Sequence, residues 1–123
     1  MIAKTCAIIV QKANAAPAEI AAKLEPFIRT GYTHFLSGLE YGAGLTAAEV
    51  VLQHKKDRPC LTLECVIPYE EYTSAWDEPS RDRYFYIVSR CDKETMLIRQ
   101  FAPDYLRQQR EYLLRNSDIT IEI

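Results

Sequence analysis

Residues 33–52 read THFLSGLEYGAGLTAAEVVL. The apolar run Thr33–Ser37 has strand character. After it come three glycines, and then Leu45, Ala48, Val51 and Leu52 recur at helical spacing. The stretch predicts a strand, a glycine-rich turn and a helix. Glycines at 38, 42 and 44 admit positive φ and let a ligand approach the backbone closely. The helix that follows would aim free N–H groups and the positive end of its dipole at the same space. The spacing is G-x-x-x-G-x-G, neither the G-x-G-x-x-G of dinucleotide folds nor a phosphate loop ending in G-K-[ST]. On spacing alone, a tight structural turn and a phosphate cradle both account for it.

The same alternation extends in both directions. KTCAIIV (4–10) is a continuous apolar run, as expected of a strand buried on both faces. After Pro17, a favourable first-turn residue, Ile20, Leu24, Phe27 and Ile28 predict a helix that Pro26 loosens and Gly31 stops. CLTLECVI (60–67) alternates Leu61, Leu63, Cys65 and Ile67 up to Pro68, a third strand. A polar, aromatic loop follows, then a helix through Tyr84, Ile87, Val88 and Cys91, and a short strand in ETMLIR (94–99). Tyr105, Leu106, Gln109, Tyr112 and Leu113 mark a last helix, and DITIEI (118–123) a last strand. Strands alternating with helices predict βαβ units and a mostly parallel sheet of about five strands. The expected fold is a Rossmann-like three-layer α/β/α sandwich, a single domain over 1–123. Ligands of such sheets bind beyond the carboxyl ends of the strands, here after Val10, Leu36 and Ile67.

The 123 residues suit one compact core, and 48% apolar with 26% charged residues is ordinary for a globular protein. A formal net charge of -2 argues against a non-specific grip on nucleic acid. No apolar run is long enough for a membrane span, and residues 1–10 lack the shape of a secretory leader. Cys6, Cys60, Cys65 and Cys91 form no C-x-x-C pair. They read as small core thiols in a reducing cytoplasm, not as a disulfide framework or a zinc site, and no metal is expected.

GYTHFLSGLEYGAGLTAAEVVL, followed by LTLECVIPYEEYTSAWDEPSRDRY, resembles the YpsA-like branch of the DprA–LOG (SLOG) superfamily. That branch shows G-Y-T-H-F-I-S-G-M-A-x-G-V-D-x-W-A-A-E, then a strand ending in Pro and a loop with a Trp. Ser37, Gly38, Gly42, Ala47, Ala48, Glu49, Pro68 and Trp76 match. The resemblance implies a Rossmann-like fold that binds a nucleotide or nucleotide-derived small molecule at residues 37–49, its identity left open. Four departures stand out. Ile8–Gln11 read IIVQ where the branch has T-G-H-R-P, and Gly44 replaces an acid, leaving only backbone there. Gln109-Arg110 stand where an Arg/Lys-Asn pair is usual. The branch also continues past its S-D pair with a further strand and a Gly-Gly-Thr turn, while this sequence ends at Ile123.

Ser37, Gly38, Gly42, Gly44, Glu49, Glu70 and Trp76 are the expected ligand-side residues. Several carry a second reading. Thr46-x-x-Glu49 also fits a capping box that would start the helix at Ala47, whereas the resemblance implies a start nearer Gly42. Glu70 and Glu71 suit a solvated loop as well as a pocket. Trp76, with Tyr69 and Tyr72, could stack on a base or pack the loop. His34 reads as a satisfied strand histidine, and Arg107, Arg110 and Arg115 as a solvated helix face. No catalytic set assembles. The alternatives to plain binding are a phosphoribohydrolase-like activity using Glu49, implied by the hydrolytic LOG relatives, and a non-catalytic interaction module. DNA handling is disfavoured by charge. A last strand of Ile119, Ile121 and Ile123, if it lies at a sheet edge, would pair with a second copy in a homodimer.

Overall fold

The computed structural model describes residues 4–123; the leader reading rests partly on residues 1–3, outside that range. Five strands and four helices alternate: β1 (Lys4–Ile9), α1 (Pro17–Arg29), β2 (Tyr32–Ser37), α2 (Ala43–Asp57), β3 (Thr62–Ile67), α3 (Glu78–Arg90), β4 (Lys93–Met96), α4 (Tyr105–Arg115) and β5 (Ile119–Glu122). Every pairing is parallel, in the order β4-β3-β2-β1-β5. The first three connections each step one strand in the same direction, so right-handed crossovers place α1, α2 and α3 on one face. The fourth reverses, passes β3, β2 and β1, and leaves α4 on the opposite face. The result is the expected Rossmann-like sandwich, with β5 at an edge.

The period-2 alternation of the strands divides the core in two. Cys6 and Ile8, Phe35, Leu63 and Cys65 meet Ile20, Leu24, Leu45, Val51 and Ile87 in the larger half, under α1–α3. Ala7, Ile9, Leu36 and Val66 meet Leu113 of α4 in the smaller half. Boundaries follow local chemistry. α1 runs through Pro26 to Arg29, where the Thr30 hydroxyl donates to the Pro26 and Phe27 carbonyls at 3.1 Å. Gly31, at φ 101°, then turns the chain into β2.

Because α4 covers its face alone, part of that face is polar. Glu64 of β3, only 4% exposed, accepts from Tyr112 Oη at 2.6 Å and from Thr95 Oγ1 at 2.8 Å. His34 Nε2 lies 3.2 Å from the other carboxylate oxygen, and its Nδ1 lies 2.5 Å from Thr62 Oγ1. Burial alone would raise the Glu64 pKa. The hydrogen bonds from Tyr112, Thr95 and His34 outweigh it and hold the carboxyl below its ordinary range. His34 is thus a satisfied strand histidine, as its surroundings in the sequence suggested. A lowered carboxylate pKa contributes stability above the unfolded value and loses it as pH falls through the folded one. Tyr112→Phe should therefore cost about 1.5–3 kcal/mol in urea unfolding at pH 7, the value of a hydrogen bond to a charged group. The difference from wild type should shrink in acid, below the ordinary glutamate range. An equal difference at every pH would separate Tyr112 from Glu64 ionisation.

Candidate functional site

The chain ends its first two strands at one place. β1 runs out at Ile9 into Val10, and β2 at Ser37 into the glycine turn. Ser37 is buried, and its Oγ accepts from Leu39 N–H at 3.2 Å, tightening the turn. Leu39 takes φ 51°, left-handed for a non-glycine residue, and buries its side chain completely. Strain of this kind persists where surroundings over-determine the backbone, and it collects at ligand-bearing turns.

α2 begins at Ala43, with Gly42 at its N-cap and no side-chain cap. The capping box is not formed, and the helix starts where the resemblance placed it. Thr46 Oγ1 instead donates to the Gly42 carbonyl at 3.2 Å. Gly42 holds φ 82° and ψ -110°, and a Cβ there would sit well inside 3.0 Å of the Ala13 carbonyl oxygen. That carbonyl accepts from Ala43 N–H at 2.9 Å, and the Glu40 carbonyl from Leu45 N–H at 3.0 Å. Two N–H groups of the expected phosphate cradle are therefore engaged by the chain itself.

The open space lies on the α4 side of the same turn. A cleft of about 400 Å³ has Val10, Leu106 and Leu113 as apolar walls. Glu40, Gln109, Arg107 and Arg110 supply its polar groups. Gln109 is 2% exposed, and its Nε2 donates to the carbonyls of Gly38 and Val66, both at 2.9 Å. It ties α4 to the ends of β2 and β3. Gly38 has no side chain because a Cβ would stand 2.7 Å from Gln109 Nε2. Arg107 is bound to Asp104 and Glu111, at 2.5 and 2.7 Å. Arg110 acts on Glu40 across the cleft, its charge favouring the carboxylate.

Glu40 is the unusual group. The residue is partly exposed, yet its Oε1 is out of contact with water and has no hydrogen-bond partner. Burial raises its pKa, only partly offset by its own backbone N–H and by Arg110. Buried polar atoms without partners are rare enough that each calls for an explanation. Gly44, expected to leave bare backbone, lies under this carboxyl: a Cβ on Gly44 would be 2.6 Å from Oε1. An acid thus occupies that space from another position, which corrects the expectation.

The other expected residues lie apart. Glu49 faces α3, where Arg83 grips it through Nη2 at 2.5 Å and Nε at 3.0 Å. It lines a separate groove with Pro17 and His54. Trp76 is packed edge-to-face among Tyr41, Tyr72 and Tyr84, with centroids 5.2–5.7 Å apart. Tyr41 also donates to Asp77, the N-cap of α3, at 2.6 Å, so these aromatics pin the glycine turn to the loop after β3. Glu70 and Glu71 are exposed beside Arg99 and Phe101. Cys6 and Cys65 are the expected core thiols, whereas Cys60, just before β3, is exposed and Cys91 half-buried; burial pushes Cys6 up to about 12 and raises Cys65 too, so neither of these two is a ready nucleophile. Sequence reasoning missed Glu40 and treated Arg110 as solvated. The signal that could have found Glu40 is an acid four residues before a glycine at a position where relatives carry an acid.

Residues 10–123 match the model of the YspA SLOG family, YpsA. The chain belongs to the YpsA family. It is 36% identical to a UPF0398 protein of Halalkalibacterium halodurans over 93 residues, 74% of this chain and 49% of that protein. A UPF0398 protein of Levilactobacillus brevis is 30% identical over 98 residues, covering 78% and 52% of the two chains. One from Bacillus thuringiensis is 26% identical over 103 residues, covering 82% and 56%. The chain thus spans about half the length of these YpsA-family relatives. Among the described residues, no helix is long and apolar enough to cross a membrane.

Proposed function

We propose that the chain binds a nucleotide or nucleotide-derived small molecule in the cleft beyond β1 and β2. The observation that carries this reading is the composition and place of that cleft. Arginines of α4 face a buried carboxyl between apolar walls, beyond the carboxyl ends of strands beside the point where the connections reverse. The arginines suit a phosphate, and the apolar walls a base or sugar face. Glu49, paired with Arg83 away from this cleft, gives a hydrolytic reading no support.

Thermal unfolding with AMP, GMP, UMP, ADP, ADP-ribose and inorganic phosphate tests the proposal. A nucleotide present at a hundredfold excess over its Kd should stabilise by about 2.7 kcal/mol, on the order of 10 °C in Tm. Arg110→Glu should abolish the shift and leave the unliganded protein folded. A flat response across the panel would overturn the reading.

A further inference from the structure

We propose that β5 is a docking edge for a second copy of this chain, the two β5 strands pairing antiparallel about a two-fold axis at Ile121. The proposal is independent of what the cleft binds. β5 pairs with β1 alone and stands at the end of the sheet. Ile123 N–H donates to the Ile9 carbonyl at 2.9 Å, and the Ile123 carbonyl accepts from Gln11 N–H at 2.7 Å, so residue 123 turns its main chain toward β1. Main-chain direction alternates along a strand, and Thr120 and Glu122 therefore turn theirs outward. Among the described residues, the hydrogen bond on that outward side is from Lys23 Nζ to the Glu122 carbonyl, at 3.2 Å. An edge with free N–H and C=O groups is a template for another strand. At the other edge β4 begins with Lys93 and Glu94, both exposed, and charges of this kind keep an edge from pairing. In β5 the one charged residue is Glu122.

Charge selects both the occupant and the register. About an axis at Ile121, Thr120 lies opposite the partner's Glu122, and this pair exchanges N–H···O bonds in both directions, as does its symmetry mate. Ile121 meets its own copy, and Ile119 meets the partner's Ile123, on the face that already joins the larger core. Moving the axis by one residue sets Glu122 opposite the partner's Asp118 in one direction and opposite the partner's Glu122 in the other. Like charges directly opposite destabilise a cross-strand pair. The register at Ile121 avoids both clashes. It is also self-complementary, so two copies close on each other and leave no free β5 edge.

Sedimentation equilibrium on the whole chain tests this. Wild type should form a dimer that dissociates on dilution through the micromolar range. Thr120→Glu sets like charges opposite each other at both symmetric pairs and should weaken the dimer about tenfold. Thr120→Lys faces the partner's Glu122 with a cation and should tighten it, a gain that fades in high salt. Both substitutions fall on an exposed side chain, and circular dichroism checks that each variant is folded. If Thr120→Glu does not fold, the direction of the Thr120→Lys shift decides. Wild type that stays monomeric at every concentration overturns the proposal. So does a dimer that neither substitution moves, or that both weaken alike, because its contact then lies elsewhere.

Discussion

Gly42→Ala is expected to cost about 3–4 kcal/mol of folding stability, through backbone strain and a lost hydrogen bond. The position combines φ 82° with ψ -110°, which an L side chain rarely adopts. A Cβ would also press on a backbone carbonyl, Ala13, that has no flexible end to move aside. That carbonyl accepts from Ala43 N–H, so pushing it away also uncaps α2. The damage should therefore reach the loop between β1 and α1, thirty residues back in sequence. Urea unfolding gives the magnitude, and amide exchange at Ala43 gives the location. A loss below about 1 kcal/mol would show that the loop gives way freely.

Gln109→Leu should have the second largest effect, about 2–4 kcal/mol. Leucine matches the volume but leaves the Gly38 and Val66 carbonyls without their donor, and a buried polar group without a partner costs about 1–3 kcal/mol. Gln109→Glu offers no amide donor and adds a charge beside Glu40, so it should be at least as damaging at neutral pH. Its loss should lessen in acid as the new carboxyl takes up a proton. Calorimetric unfolding of both variants at pH 5 and pH 8 separates lost hydrogen bonds from charge. If Gln109→Leu is neutral, α4 is held by Leu113 and Tyr112 alone.

The fold was legible because its signals are local. Continuous apolar runs gave the buried strands, Pro17 and Gly31 bounded α1, and the alternating isoleucines gave the last strand, though not its place at an edge. The site was legible only as a place. Thr46 and Glu49 have capping-box spacing, but the helix start is set by the Ala13 carbonyl, and Glu49 goes to Arg83, 34 residues away. Glu64 carries no signal of its own in the sequence; Tyr112 of α4, which donates to its carboxylate, marks its role. Glu40 was missed although Gly44, beneath its carboxyl, is only four residues on. The partners of Glu49 and Glu64 lie far along the chain, and periodicity and short motifs cannot register them.

The reversal of the last connection also governs the order in which the molecule can assemble. β1 needs two neighbours, and the second is β5, whose Ile119 pairs with Cys6 from 113 residues away. During synthesis, β1 to β4 can zip together in sequence, each crossover closing a short loop. One side of β1, with Ala7 and Ile9 beside it, stays an open and apolar strand edge until residues 119–122 emerge. Such an edge recruits other chains. Pairing that must span the whole sequence is also the slow step in folding. The rate of native assembly should thus be set by the arrival of the final strand, well after the site-bearing turn between β2 and α2 has formed.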